Sequence, residues 1–430
     1  MHNLLHFYVR IYRKRFLVKK TNRYIVATAG VVLHLMLGST YAWSVYRNPI
    51  MMETGWQQSS VAFAFSLAIF CLGMSAAFMG KLVEKFGPRL TGTISAILYA
   101  GGTMLTGLAV ANHQLWLLYL GYGVVGGLGL GAGYITPVST IIKWFPDKRG
   151  LATGLAIMGF GFASLLTSPI AQYLINHRGL VNTFYILGLV YFVIMLISSQ
   201  FIKKPNPEEF QQLVDKSKDK SATDLTNGMS ASQALKTKEF YILWLILFIN
   251  IACGLGLISV VAPMAQDVAG MSVEAAAVVV GLMGVFNGFG RLLWASLSDF
   301  IGRPLTFVIL FIVNVLMSFF LIIFHIPFLF VLSMAILMTC YGAGFSLIPP
   351  YLSDIFGAKE LATLHGYILT AWGIAALVGP MLLSMIFEMT KSYTNTLVVF
   401  IGLFLLALSI SVWLKNSLAT DKKESLVEIK

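Results

Sequence analysis

Apolar runs close to helix length, separated by short polar and basic segments, recur from one end of the chain to the other. About 20 consecutive apolar residues in a helix cross a hydrocarbon core of roughly 30 Å. Twelve such spans can be placed, at approximately 24–46, 57–80, 89–110, 115–142, 151–175, 182–202, 239–263, 273–296, 304–325, 328–352, 361–387 and 396–415. The pattern predicts an all-α membrane protein of twelve transmembrane helices.

The connections between spans alternate in charge. One set holds Lys81, Lys85 and Arg89, then Lys143, Lys148 and Arg149, then Lys203 and Lys204 onward, then Arg303, Lys359 and the residues from Lys415. The opposite set offers only Arg47, Arg178 and Lys391. Basic residues near membrane ends favour the cytosol, so both termini are expected there, in a multi-pass protein of the plasma (inner) membrane. The expected division is a basic cytosolic segment over 1–23, a six-helix bundle over 24–202, a cytosolic linker over 203–238, a second six-helix bundle over 239–415 and a cytosolic tail over 416–430. The first segment has the charge of a signal-peptide n-region, but no small-residue cleavage site follows its apolar run. A juxtamembrane stretch on anionic lipid is the expectation. In the linker, a short surface helix is expected at 207–215.

Composition adds exclusions. Of 430 residues, 57% are hydrophobic and 11% charged, with a mean hydropathy of +0.80; a water-soluble chain carries about 25% charged residues. A net charge of +12 raises the question of nucleic acid. The basic residues gather between spans, which is the signature of topology, and no nucleic-acid partner is expected. Cys71, Cys253 and Cys340 lie within apolar runs, without metal-site spacing, and read as buried thiols. Gly121-Tyr-Gly-Val-Val-Gly126 spells a dinucleotide fingerprint, but inside a span and with no strand before it. Its glycines suit close helix packing. No nucleophile–base pair, zinc-type spacing or phosphate loop occurs, so no enzyme activity, catalytic residue, metal or cofactor is expected. The partners left are a small solute and the lipid bilayer, and a monomer is expected.

The two halves repeat each other. Gly80-Lys-Leu-Val-Glu84-Lys-Phe-Gly87 aligns with Ala295-Ser-Leu-Ser-Asp299-Phe-Ile-Gly302, Pro137 with Pro349, and Leu151-Ala-Thr153 with Leu361-Ala-Thr363. These offsets are all near half the chain, as in carriers whose two parallel halves enclose a midplane site.

Arg291 breaks the symmetry. It lies about two helical turns inside span eight, where a guanidinium costs roughly 2.5–3.5 kcal/mol on insertion scales and faces protein or water rather than lipid. Its counterpart in the first half is Ala76. Such an arginine is a candidate hook for a carboxylate, which it holds bidentately. Asn287, one turn earlier on the same face, orients the guanidinium or satisfies a packing neighbour. Trp372, Tyr341, Phe345 and Tyr41 are candidates to wall the site, with interfacial or core packing as the alternative. His34 reads as a hydrogen-bonded packing histidine, with a proton relay as the other reading.

Glycine, three residues, an acid, then glycine three further on, after spans two and eight, resembles the signature of the major facilitator superfamily. Leu37-Gly-Ser-Thr-Tyr41-Ala-Trp43, Asn287-Gly-Phe-Gly-Arg291 and Thr370-Ala-Trp372-Gly further resemble the oxalate/formate antiporter family, which is related to the monocarboxylate transporters. The resemblance implies two six-helix bundles and alternating access. It also implies gating by Gly80, Glu84, Gly87, Arg89, Asp299, Gly302 and Arg303, with Asp299 near Gly150 at the start of span five and Glu84 near Leu361 at the start of span eleven. In oxalate transporters of this family a lysine on span eleven joins the span-eight arginine; here Trp372 stands in its place. One cationic hook directs the expectation to a monocarboxylate. With Asn287 where proton-coupled relatives carry an acid, anion exchange or facilitated passage is expected. The rivals are an efflux carrier for other small organic solutes, which normally carries an acid within span one or four, and a non-transporting sensor on the same fold.

Overall fold

A computed structural model describes residues 22–216 and 228–428. The basic stretch through Thr21, linker residues 217–227 and the last two residues lie outside the described residues. Among the described residues, twelve helices are long and apolar enough to cross a membrane: Arg23–Thr54, Ser59–Phe86, Pro88–Ala111, Leu115–Trp144, Arg149–Arg178, Leu180–Phe201, Lys238–Ala269, Val278–Ile301, Arg303–Ile323, Pro327–Phe356, Leu361–Thr390 and Tyr393–Thr420. These are spans one to twelve. Several outrun their apolar windows. Span one continues through a tight 3₁₀ stretch at Gly38–Ala42 and past Pro49 to Thr54, because polar residues beyond the hydrocarbon can still extend a helix whose backbone bonds are internal.

Two departures from regular helix matter for the centre. The glycine run of span four opens into π-helical turns at Tyr119–Gly126, where a Cβ at Gly102 of span three would lie 2.6 Å from the Gly121 carbonyl. Span eleven is jointed at Leu369, between Leu361–Ile368 and Thr370–Thr390, and the Trp372 amide donates back to the Leu369 carbonyl at 3.0 Å. That tight turn sets the direction of Trp372.

Spans one to six and seven to twelve form two bundles with matching contacts. Span two runs along span four and span three along span six; span eight runs along span ten and span nine along span twelve. The bundles meet along two seams, span five with span eight and span two with span eleven. Small residues let backbones touch at both. A Cβ on Gly73 would sit 2.6 Å from the Gly373 nitrogen, and one on Gly154 2.7 Å from the Arg291 carbonyl.

The repeated motif glycines have separate physical reasons. Gly87 and Gly302 end spans two and eight with φ of 85° in both, a region that L side chains seldom adopt. The first position is a contact. Gly80 presses on the backbone of Ala362, while the Cβ of its partner in the repeat, Ala295, faces Gly154, where an added Cβ would lie 3.0 Å from it. Ala295 is tolerated because the missing space is supplied from across the seam.

The linker begins under span four, where Trp144 Nε1 donates to the Lys203 carbonyl at 2.7 Å. A helix at Pro207–Lys216 starts with a reciprocal cap between Asn206 and Glu209. It packs Phe210 and Val214 on Ala358, in the turn between spans ten and eleven.

Candidate functional site

Arg291 has no exposed surface. Its Nε donates to Asn287 Oδ1 at 3.3 Å, and its Nη1 reaches across the seam to the Ile157 carbonyl of span five at 3.4 Å. Its Nη2 has no hydrogen-bond partner. The guanidinium lies between two aromatic rings, 4.8 Å from the centre of Phe345 and 5.7 Å from that of Phe160. Arg291 and Asn287 are thus brought together across one helical turn. Asp299, farther along the helix, is taken up elsewhere.

Around Arg291 the structure collects polar atoms that are buried and unpaired: Tyr41 Oη, Tyr134 Oη, Tyr341 Oη and Trp372 Nε1. Buried donors rarely go unsatisfied, and each costs about 1–3 kcal/mol when left so. All three tyrosines lie within electrostatic reach of the guanidinium, and the Tyr41 hydroxyl faces both Arg291 and Tyr341. The walls are continuous. Trp372 packs edge-on to Phe345 at 4.6 Å, Tyr134 at 5.2 Å and Phe160 at 5.9 Å, and Tyr341 meets Phe345 at 5.4 Å. Spans one, four, five, eight, ten and eleven therefore each contribute to one box of aromatic faces and unfilled donors. The box can accept an anion with several hydrogen-bonding lone pairs.

His34 sits at the edge of this box, fully buried, 5.1 Å from the Tyr134 ring. Its Nδ1 lies 2.8 Å from the Ala156 carbonyl and its Nε2 3.0 Å from the Tyr134 carbonyl. Tyr134, Phe160 and His365 escape the sequence reading. His365 is buried with both ring nitrogens unpaired, 6.1 Å from Tyr134. Neither charge nor motif marks these residues; only their mid-span position on helices that face each other could have drawn attention.

At the face bearing the termini, two clusters tie the bundles together. Asp299 accepts from the Gly150 and Leu151 amides at the start of span five, at 2.9 and 2.8 Å, and pairs with Arg303 at 2.6 Å. Arg149 of span five pairs with Asp354 at 2.7 Å, and Asp354 lies 3.6 Å from Arg303. In the other seam Glu84 accepts from the Ala362 amide at 3.1 Å and pairs with Lys204 at 2.7 Å and Lys143 at 3.5 Å. A carboxylate at a helix N-terminus meets the positive end of the dipole.

Arg89, expected among the gating residues, is exposed and joins no ion pair among the described residues, unlike Arg303 in the second half. The first motif reads Gly87-Pro88-Arg89 and the second Gly302-Arg303-Pro304. One residue of offset turns the side chain by about 100° around the helix, and Lys143 and Lys204 occupy the place that Arg89 leaves.

The Asp299 cluster yields a direct test. Asp299→Ala removes the acceptor of two amides and Arg303's nearer carboxylate. Loss of a buried partner costs about 3–5 kcal/mol, less here because Asp354 remains. A cysteine introduced at Thr363, which is buried at this face, should then react several-fold faster with a thiol reagent. Unchanged labelling would show that the cluster does not hold the face shut.

Two matched helix bundles, sealed together at one face and holding a buried arginine between them, define a membrane carrier. The chain belongs to the Major Facilitator Superfamily, whose family model matches residues 28–380 and 279–428. It is 28% identical over 362 residues to the oxalate:formate antiporter of Oxalobacter formigenes, covering 83% of each chain. It is 22% identical to apicoplast pyruvate carrier 1 of Toxoplasma gondii, covering 79% of each. Its fold matches the crystal structure of the transporter FucP in the outward conformation with a TM-score of 0.69, over 91% of this chain and 99% of that one, at 13% identity. The protein is a multi-pass membrane transporter for a small-molecule substrate, and its relatives are transporters, not enzymes.

Proposed function

We propose that the protein carries a small monocarboxylate across the plasma membrane by alternating access, with both termini in the cytosol, and that Arg291 holds the substrate's carboxylate. The observation that carries this reading is the free Nη2 of a fully buried arginine, ringed by unfilled tyrosine and indole donors. A carboxylate supplies both the counter-charge and the acceptors these groups lack, and the aromatic walls exclude water, which strengthens the pair. A cationic solute would meet an uncompensated guanidinium. The rings and amide around Arg291 include no second fixed cation; Trp372, edge-on to Phe345, fills the wall where a lysine would have served a dicarboxylate. The relatives named for oxalate, formate and pyruvate support the substrate class. In this reading the Glu84 and Asp299 clusters keep the cytosolic side shut.

The test is a thermal-stability panel on the purified protein with formate, acetate, lactate, pyruvate, oxalate and a set of neutral and cationic solutes. A ligand at 100 times its Kd stabilises by about 2.7 kcal/mol. The expected result is a rise in melting temperature with one or more monocarboxylates, larger than with oxalate. A rise with neutral or cationic solutes alone would overturn the reading.

A further inference from the structure

His34 is held in an arrangement that only one of its charge states can satisfy. Both ring nitrogens point at main-chain carbonyl oxygens, Nδ1 at Ala156 of span five and Nε2 at Tyr134 of span four, at 2.8 and 3.0 Å. A carbonyl accepts and never donates. Neutral imidazole has a single N–H, so whichever tautomer forms, its bare nitrogen faces an oxygen lone pair. Imidazolium donates at both ends and fills both contacts.

Burial opposes that charge. The ring has no exposed surface, and no carboxylate acts on it among the described residues. The groups facing it are the Arg291 guanidinium of span eight, His365 of span eleven and Tyr134 of span four; span five offers the Ala156 carbonyl and the Phe160 ring. With the site empty, a second cation beside Arg291 has no counter-charge, and a buried unpaired charge is costly. An anion at Arg291 supplies the missing negative charge within the same box.

We propose that His34 is the proton site of this carrier: carboxylate binding at Arg291 and protonation of His34 favour one another, so that the anion crosses with a proton drawn from bulk water. This rests on the carboxylate reading above and adds the coupling ion to it. It also departs from the exchange mechanism that the absence of an acid on span eight led us to expect, because the coupling group lies in the other bundle, on span one. Span one meets spans four and five through this ring, so loss of the proton also loosens two contacts beside the seam with span eight.

Coupling of this kind is reciprocal, and typical site–site couplings change affinity by roughly 5- to 150-fold. The experiment uses the intact purified protein with the monocarboxylate that stabilises it most. Proton uptake on binding is read with a pH indicator in weak buffer, and Kd is measured from about pH 5.5 to 8.5, above the titration range of the free acids. The expected result is net proton uptake and an affinity that weakens as pH rises, with both effects lost in His34→Gln and His34→Asn and retained in His365→Gln. A wild-type protein that binds the carboxylate with no uptake and a flat pH profile overturns the proton site and leaves the carboxylate reading standing. Uptake that persists in both His34 variants places the proton elsewhere and also overturns it. Should the His34 variants fail to fold, the wild-type uptake and pH profile still decide between coupling and none. If no carboxylate binds the wild-type protein at all, the carboxylate reading fails first, and the coupling falls with it.

Discussion

Replacing Arg291 with methionine is expected to abolish carboxylate binding and transport while leaving the empty protein at least as thermally stable as the wild type. Truncating one partner of a buried, hydrogen-bonded charge pair costs about 2–5 kcal/mol, or roughly 30- to 5,000-fold in affinity. The stability half of the prediction separates a binding arginine from a structural one. The guanidinium is fully buried and contacts Asn287 and Ile157 at 3.3 and 3.4 Å, both long, while Nη2 has no hydrogen-bond partner. Removing a buried charge that is poorly satisfied, and filling its volume with an apolar chain, is neutral or stabilising. A structural arginine would show the opposite pattern, with a lower melting temperature and little change in affinity for the ligand. Arg291→Lys retains charge but loses the planar fork, so affinity should fall to an intermediate value. Uptake into proteoliposomes and ligand-induced melting shifts on the same three proteins check every part. Normal carboxylate uptake by the methionine variant would sink the hook.

The second large effect is expected at Gly80. A Cβ there would lie 2.8 Å from the Thr363 Cα, with the Ala362 carbonyl nearer still, so the obstruction is main chain of the opposite bundle and cannot rotate aside. Overpacking of this sort costs about 1–3 kcal/mol. Because the strain exists only while spans two and eleven are pressed together, it acts on the equilibrium between conformations and not on folding. Gly80→Ala should therefore shift that equilibrium roughly 5- to 150-fold away from the closed face, cut transport strongly, and raise the reactivity of the cysteine at Thr363. Ala295→Gly, the matching change in the other half, should leave transport within about twofold of normal, because Gly154, which faces the Ala295 Cβ, already provides the clearance. Equal effects of the two substitutions would show that the motif glycine acts through its backbone rather than through contact.

Much of this architecture could be read directly from the chain. Hydropathy placed the twelve spans, because lipid demands continuous apolar helices whatever their neighbours. The repeat showed that the chain is built from two halves, and Arg291 announced itself as a charge where lipid would penalise it. Gly87 and Gly302 were legible as a pair, since a helix terminus with positive φ calls for glycine locally. Helix ends were read too short at spans one and seven, where hydropathy stops at the hydrocarbon edge and the helix does not.

The aromatic box was only half legible. Tyr41, Tyr341, Phe345 and Trp372 stood out near Arg291 or in the resembling motifs, whereas Tyr134, Phe160 and His365 lie in runs of small and apolar residues with no mark of their own. Their convergence depends on how helices a hundred or more residues apart rotate and cross: His34 meets Tyr134 and Ala156, and Arg291 meets Ile157. Arg89 and Arg303 make the same point at the face bearing the termini, where a one-residue offset sends one cation into the seam and the other to solvent. The sequence by itself determined which residues must leave water, how many helices form and where a charge is buried, because those are properties of single segments against lipid. Only the tertiary structure decided which donors remain unfilled and which ring faces two acceptors, because satisfaction of a buried polar group is a property of the neighbours that packing brings to it.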